Sequence, residues 1–337
     1  MGFYMVKKIL VMGHSNIGDV CYDLAVIAPL RERFPDSRLT FLTTSRCRDL
    51  VDGYPGVDNI MTFDRHGNHK GLLGRIRFFG AARRELFDLV VVLKRSLRHK
   101  FLRAREVWCV KKKAASKHKH PVDRYRDFLL DVDIPVETVS FSFREKQEHL
   151  RWAEQFLAAK NISAEDTLIG ILPLAAWSLK SWPVAKWNAL ADQLRNRYGI
   201  KVINLGKMPD SSLGRQIAAE ISPDVVAAGE TDLAQAKALL RRCSMFIGPD
   251  SSFLHLASCM GVETVGLFGA TSGEIFYPYF HRHNIVTAKK RLSCMPCYPG
   301  TLPSCSVKGR VRNFGPCMEA ISVEDVMGII KQRLNLK

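Results

Sequence analysis

The sequence predicts an α/β protein of two domains, each a parallel sheet flanked by helices, with ligand crevices where the strands end. Three observations predict it. The chain has 337 residues, long for one core and ordinary for two. Short apolar runs alternate with longer segments of helical character through both halves. The run Asp88–Leu93 is almost wholly apolar, as in strands buried on both sheet faces.

The first half reads in order as strand Lys8–Met12, helix Asp19–Arg33 with Pro35 just beyond it, and strands Arg38–Thr43 and Asn59–Phe63. Helix Leu72–Leu86, strand Asp88–Leu93, strand Glu106–Val110 and helix Val122–Leu130 follow, the last with Pro121 at its first turn. Asp131–Phe143 lacks helical periodicity, and Arg144–Ala159 reads as a polar helix. The boundary is expected there, giving domains 1–160 and 161–337. The second half continues with strand Thr167–Leu172, helix Val184–Tyr198, strand Lys201–Leu205 and helix Ser211–Ile221. Strand Asp224–Ala227, helix Leu233–Arg241, strand Met245–Ile247, helix Phe253–Met260 and strand Glu263–Phe268 complete the alternation, with a C-terminal helix after them. Such alternation implies two Rossmann-like domains facing a cleft, with ligands at the carboxyl ends of the strands.

Composition narrows the function. With 47% hydrophobic and 25% charged residues the chain is globular, not disordered. No stretch reaches the ~18 apolar residues of a membrane-spanning helix. The run Ile9–Met12 is only strand length, which argues against a signal peptide and makes the cytoplasm the expected compartment. A net charge of +17 calls for an acidic partner: nucleic acid, an anionic membrane or a phosphorylated substrate. Between Lys94 and Lys119 there are eleven Lys or Arg and one acid, Glu106. The bland alternative for that run is a solvated face. It carries few aromatics for base stacking, and no nucleic-acid-binding module is evident.

The segment Gly248-Pro249-Asp250-Ser251-Ser252-Phe253-Leu254-His255 follows a short strand and opens a helix. Asp250, Ser251 or Ser252 would cap that helix, and its free N–H groups and dipole would also suit a phosphate. His255 sits one turn inside. Gly229-Glu230-Thr231-Asp232-Leu233 precedes this segment, and Gly261-Val262-Glu263-Thr264-Val265-Gly266-Leu267-Phe268-Gly269 follows it. Earlier stand Ile17-Gly18-Asp19-Val20 and Trp177-Ser178-Leu179-Lys180-Ser181-Trp182-Pro183. In this order the motifs resemble those of the ADP-heptose:lipopolysaccharide heptosyltransferases, glycosyltransferase family 9.

The resemblance implies a GT-B fold and an inverting, metal-independent transfer of heptose from ADP-heptose to the lipopolysaccharide inner core. Asp19 would be the general base; its plain alternative is a carboxylate favoured by the helix N-terminus. Lys180, between Trp177 and Trp182, would be the phosphate cation. Gly248, Asp250, Ser251, Ser252 and His255 would hold the diphosphate, and the backbone near Thr231 would lie against the nucleotide base. The family's ribose-binding acid follows the strand ending at Leu205, but Gly206-Lys207-Met208-Pro209-Asp210 departs from the usual Gly-rich, Glu-containing form. Asp210 is the nearest acid there. Asn16, Gly18, Arg98, Lys111 and Lys113 are the acceptor-binding candidates. An acidic glycolipid acceptor would explain the basic first half, and anionic lipid would hold the enzyme peripherally on the inner membrane face. Alternatives are another activated sugar, a nucleotide-sugar epimerase of the same fold, or a nucleic-acid-binding protein.

Two further signals compete. Asp131-Val132-Asp133 has the Asp-x-Asp form of metal-dependent transferases, but it stands at the end of a surface helix and such triplets are common. Cys294, Cys297, Cys305 and Cys317 supply four thiols in a Pro- and Gly-rich stretch. Their irregular spacing favours free thiols or a disulfide over a structural zinc, and no cofactor beyond the nucleotide sugar is expected.

Overall fold

A computed structural model of the chain describes residues 5–94, 96–110, 119–207, 212–290, 292–298, 305 and 314–337. It divides into two compact units, Met1–Arg144 and Glu145–Lys337.

The first unit runs β1 (Lys8–Met12), α1 (Ile17–Asp23), α2 (Ile27–Arg33), β2 (Arg38–Thr43), α3 (Arg48–Val51), β3 (Asn59–Thr62), α4 (Gly71–Ala82), β4 (Leu86–Val92), β5 (Arg103–Cys109) and α5 (Pro121–Leu130). The single helix expected over Asp19–Arg33 is interrupted by a 3-10 turn at Leu24–Val26. Pro29 explains the break: it has no N–H to offer the carbonyl of Ala25 and its ring crowds that turn. The helix expected to reach Leu86 stops at Ala82, because Leu86 and Phe87 already pair with Arg103 and Ala104 of β5. The sheet order is β3-β2-β1-β4-β5, and every described pairing is parallel. Ile9, Leu10, Val11, Val90 and Val91 are fully buried in the central strands, as strands covered on both faces require.

The second unit runs α6 (Gln147–Ala158), β6 (Leu168–Ile171), α7 (Val184–Tyr198), β7 (Lys201–Asn204), α8 (Ser212–Ala219), β8 (Val225–Val226) and α9 (Leu233–Arg242). It continues with β9 (Met245–Pro249), α10 (Ser252–Cys259), β10 (Glu263–Phe268), β11 (Ile285–Thr287), α11 (Pro316–Glu319) and α12 (Val323–Leu334). Its sheet, β11-β10-β9-β6-β7-β8, is again parallel. The unit division falls after Arg144, ahead of the expected 160, because α6 packs on α9. Local signals fix several ends. Pro183 precedes α7 and left-handed Gly199 closes it, while Asp232 and Gln235 form a reciprocal cap on α9.

Both sheets reverse strand order once. In the first unit the chain winds outward from β1 through β2 to β3, then returns to place β4 on the other side of β1. In the second it winds from β6 through β7 to β8, then returns to place β9 beside β6. Loops after β1 and β4, and after β6 and β9, therefore open at topological switch points, where parallel sheets leave room for a ligand.

Candidate functional site

The loop after β1 is pinned from below. Gly13 donates its N–H to the Leu42 carbonyl (2.9 Å), and a Cβ at this position would lie 2.5 Å from the Phe41 ring. Only glycine fits. His14 then closes onto Asp23: its N–H donates to Oδ2 (2.5 Å), and its Nδ1 meets Oδ1 (2.8 Å). Tyr125 donates its hydroxyl to the same Oδ1 at 2.7 Å, so the buried Asp23 carboxylate is fully engaged. Burial opposes a charge on His14, yet the charge and hydrogen bond of Asp23 outweigh it and raise the imidazole above its ordinary value.

Asn16 precedes α1 without capping it. Its side chain instead bridges outward: Nδ2 donates to Asp19 Oδ2 (3.1 Å), and Oδ1 accepts from Arg46 (3.1 Å). Asp19 thus stands exposed in the first turn with its carboxylate oriented by Asn16. Gly18, beside it, is buried and offers backbone alone. Across the switch point, Lys94 follows β4 and donates to Ser15 Oγ at 3.4 Å. Burial and the charge of Arg98 lower the Lys94 pKa, against the pull of Asp23 and Asp19.

Ser15, Asn16, Arg46, Asp64, Arg65, His66 and Arg98 line a cavity of about 540 Å³ in this unit. The structure therefore places Asn16 and Arg98, two of the acceptor-binding candidates, on one cavity. Lys94, Arg46 and Arg65 are additional cations that sequence reasoning passed over. Lys94 had a usable signal, since it follows an apolar strand directly. Lys111 and Lys113 lie outside the described residues.

The second switch point carries the counterpart. Lys180 ends a 3-10 turn after β6, Asp250 follows β9, and His255 is in the first turn of α10. Asp250 accepts from Lys180 Nζ at 3.3 Å through Oδ2 and meets His255 Nε2 at 2.9 Å through Oδ1. All three are at least mostly buried. Burial would raise the pKa of Asp250, but the His255 hydrogen bond and the Lys180 charge hold it at about 2. Ser251 caps α10, its hydroxyl accepting from the Leu254 N–H (3.3 Å), while Ser252 begins the helix and leaves its N–H without an intrahelical acceptor.

Other predicted residues are dispersed. Thr231 sits in the turn before α9, its hydroxyl 3.4 Å from the Ala227 carbonyl, and Gly248 lies within β9. Asp210 lies outside the described residues. Trp182, two residues beyond Lys180, belongs to the core. It is buried, packs edge-on against Trp187 and donates to the Ile321 carbonyl (3.1 Å), tying the Lys180 turn to the core below α12. Trp177 is partly buried against the same core. Asp131 and Asp133 form the terminal turn of α5, with Asp133 at φ 58°, a left-handed position that short polar residues tolerate. Among the described residues all nine cysteines are free thiols, and no group of three or more His, Cys, Asp or Glu is arranged to hold a metal. Burial and neighbouring thiols push Cys317 up to about 11, with Cys297 raised likewise.

Two parallel α/β units, each with polar side chains gathered where its strand order reverses, define the class of the protein by its GT-B fold. More narrowly, the chain belongs to glycosyltransferase family 9 (heptosyltransferase), whose model matches residues 88–302. It is 26% identical over 311 residues to lipopolysaccharide heptosyltransferase 2 of Escherichia coli K12, covering 83% of this chain and 87% of that one. It shares its fold with a glycosyl transferase family 9 protein of Veillonella parvula, at TM-score 0.81 and 20% identity over 98% of each chain. E. coli ADP-heptose lps heptosyltransferase II superposes at TM-score 0.74, with 19% identity over 97% and 98% of the two chains.

Proposed function

We propose that the protein transfers heptose from ADP-heptose to the inner core of lipopolysaccharide with inversion at the anomeric carbon. The observation that carries the mechanism is the exposed Asp19 carboxylate, oriented by Asn16 beside the cationic cavity of the first unit. An acidic acceptor seats on Arg46, Arg65, Lys94 and Arg98 and presents its hydroxyl to Asp19. The hydroxyl oxygen bonds to the anomeric carbon as the carbon–oxygen bond to the diphosphate breaks. Asp19 takes the hydroxyl proton, and ADP leaves with the bonding electrons.

Lys180 and the first N–H groups of α10 stabilise the leaving diphosphate, which needs no divalent cation. Asp250 is a carboxylate and would repel phosphate if it touched it. Its place between Lys180 and His255 supports a positioning role, holding both side chains ready for the donor. Thr231 and Asp210 belong to the nucleoside end of this reading. The protein works at the inner face of the cytoplasmic membrane, where a lipid-borne core is assembled.

A nucleotide-sugar binding screen tests the donor. ADP-heptose should bind more tightly than UDP- or GDP-sugars, and Lys180→Ala should weaken it. Preference for another nucleotide sugar would transfer the chemistry to a different donor.

A further inference from the structure

Helix α4 shows its apolar side to solvent. Phe78 and Ala82 face inward, yet Leu72 is 73% exposed, Leu73 80% and Ile76 58%. A surface helix of a soluble protein ordinarily turns polar residues outward. Leu72, Arg75, Ile76, Phe79, Gly80 and Arg83 fall at helical spacing and line a groove of about 480 Å³. Its other wall is the 3-10 turn Arg98–Phe101, where Phe101 is 56% exposed and meets the Phe79 ring at 5.4 Å. Arg65, Arg75, Arg83 and Arg98 rim this apolar floor. They crowd one another: burial and the charges of Arg65 and Arg75 lower the Arg98 pKa.

We infer that this groove is where the protein docks on an anionic phospholipid bilayer. Leu72, Leu73, Ile76 and Phe101 enter the acyl boundary, and the arginines bind lipid phosphates around them. An apolar stripe flanked by arginine is the pattern of a helix lying in a membrane interface, with long cationic side chains reaching the headgroups. A second copy of the chain does not suit the groove, because each copy would bring the same arginine rim against the other. The groove also shares Phe63, Arg65 and Arg98 with the cavity beside Asn16. A bilayer seated here would hold a lipid-anchored acceptor with its sugar head beside that cavity. The inference rests on the reading that the acceptor is membrane-borne and names the surface that meets the membrane.

The test is flotation of the full chain with phosphatidylcholine vesicles, with and without phosphatidylglycerol, alongside transfer to a deacylated, soluble acceptor. The wild type should float only with the anionic vesicles. Leu72→Ser/Leu73→Ser/Ile76→Ser should lower that partition by about tenfold or more. Arg75→Gln/Arg83→Gln should weaken it with a reduced salt dependence. Thermal unfolding should be unchanged in both, since the residues are exposed, and transfer to the soluble acceptor should match wild type. Undiminished vesicle binding by the triple serine variant, or equal wild-type binding to neutral vesicles, would overturn the docking surface. So would failure of the wild type to bind anionic vesicles. Normal docking without heptose transfer by the wild type would instead sink the proposed reaction and leave the surface standing.

Discussion

At the scale of single residues, the two clusters make opposite predictions for pH. Asp250 has a pKa lowered from 3.8 to about 2, so its contribution to stability is full above 3.8 and is lost as pH falls toward 2. That contribution is about 2 kcal/mol. Asp250→Asn should remove this part of the acid dependence, read as the urea midpoint of the second unit between neutral pH and pH 3; an unaltered profile would deny the coupling to Lys180 and His255. His14 is shifted the other way. Its pairing with Asp23 stabilises the protein below 6.5 and loses its effect as pH rises through the raised value. His14→Gln should flatten the decline in unfolding temperature on the alkaline side of 6.5, and a decline of the same steepness would show that the pair is not protonated. Sequence alone reached Asp250, Lys180 and His255 through ordered motifs, although Lys180 and Asp250 are 70 residues apart. It missed Asp23 and Tyr125, 102 residues apart, because a lone buried acid and a tyrosine carry no spacing signal.

At the scale of elements, the loop after β1 depends on one glycine. Gly13→Ala would drive a methyl into the Phe41 ring and toward Asp23 Oδ2, 2.9 Å away. The expected cost is about 1–3 kcal/mol. Because the same loop carries Asn16, turnover should fall together with unfolding temperature, and an alanine variant of wild-type stability would show that the loop relaxes freely. Most elements were legible where punctuation was local. The limits of α7 follow from Pro183 and Gly199, and β10 from its apolar run before Gly269. The α1–α2 break was not foreseen, since Pro29 has to be weighed against the carbonyl it faces rather than read as a helix end. β11 has three residues and exists by pairing with β10, a long-range contact that no window of sequence displays. Within one motif the roles divide: Lys180 meets Asp250, while the Trp182 indole serves the core.

At the scale of the whole molecule, the fold class was legible because the alternation repeats in both halves and each repetition constrains the next. The charge was legible only as a demand for an acidic partner. Side chains from separate loops had to be assembled before Arg46, Arg65, Lys94 and Arg98 became one surface. In the proposed reaction Lys180 and the α10 N-terminus do the work that a divalent cation does in other transferases. Turnover should therefore persist in excess EDTA, followed by ADP release. Strict dependence on added magnesium or manganese would refute that assignment and return attention to Asp131 and Asp133.

The central claim is a heptose transfer for which Asp19 removes the acceptor proton. It is tested most directly by incubating ADP-heptose with a heptose-deficient lipopolysaccharide core and following the acceptor mass, with wild type and Asp19→Asn side by side. The wild type should add one heptose. The near-isosteric variant should bind ADP-heptose normally and turn over roughly 10²–10⁴-fold more slowly. No mass gain with wild type, or near-normal turnover by Asp19→Asn, would contradict the account.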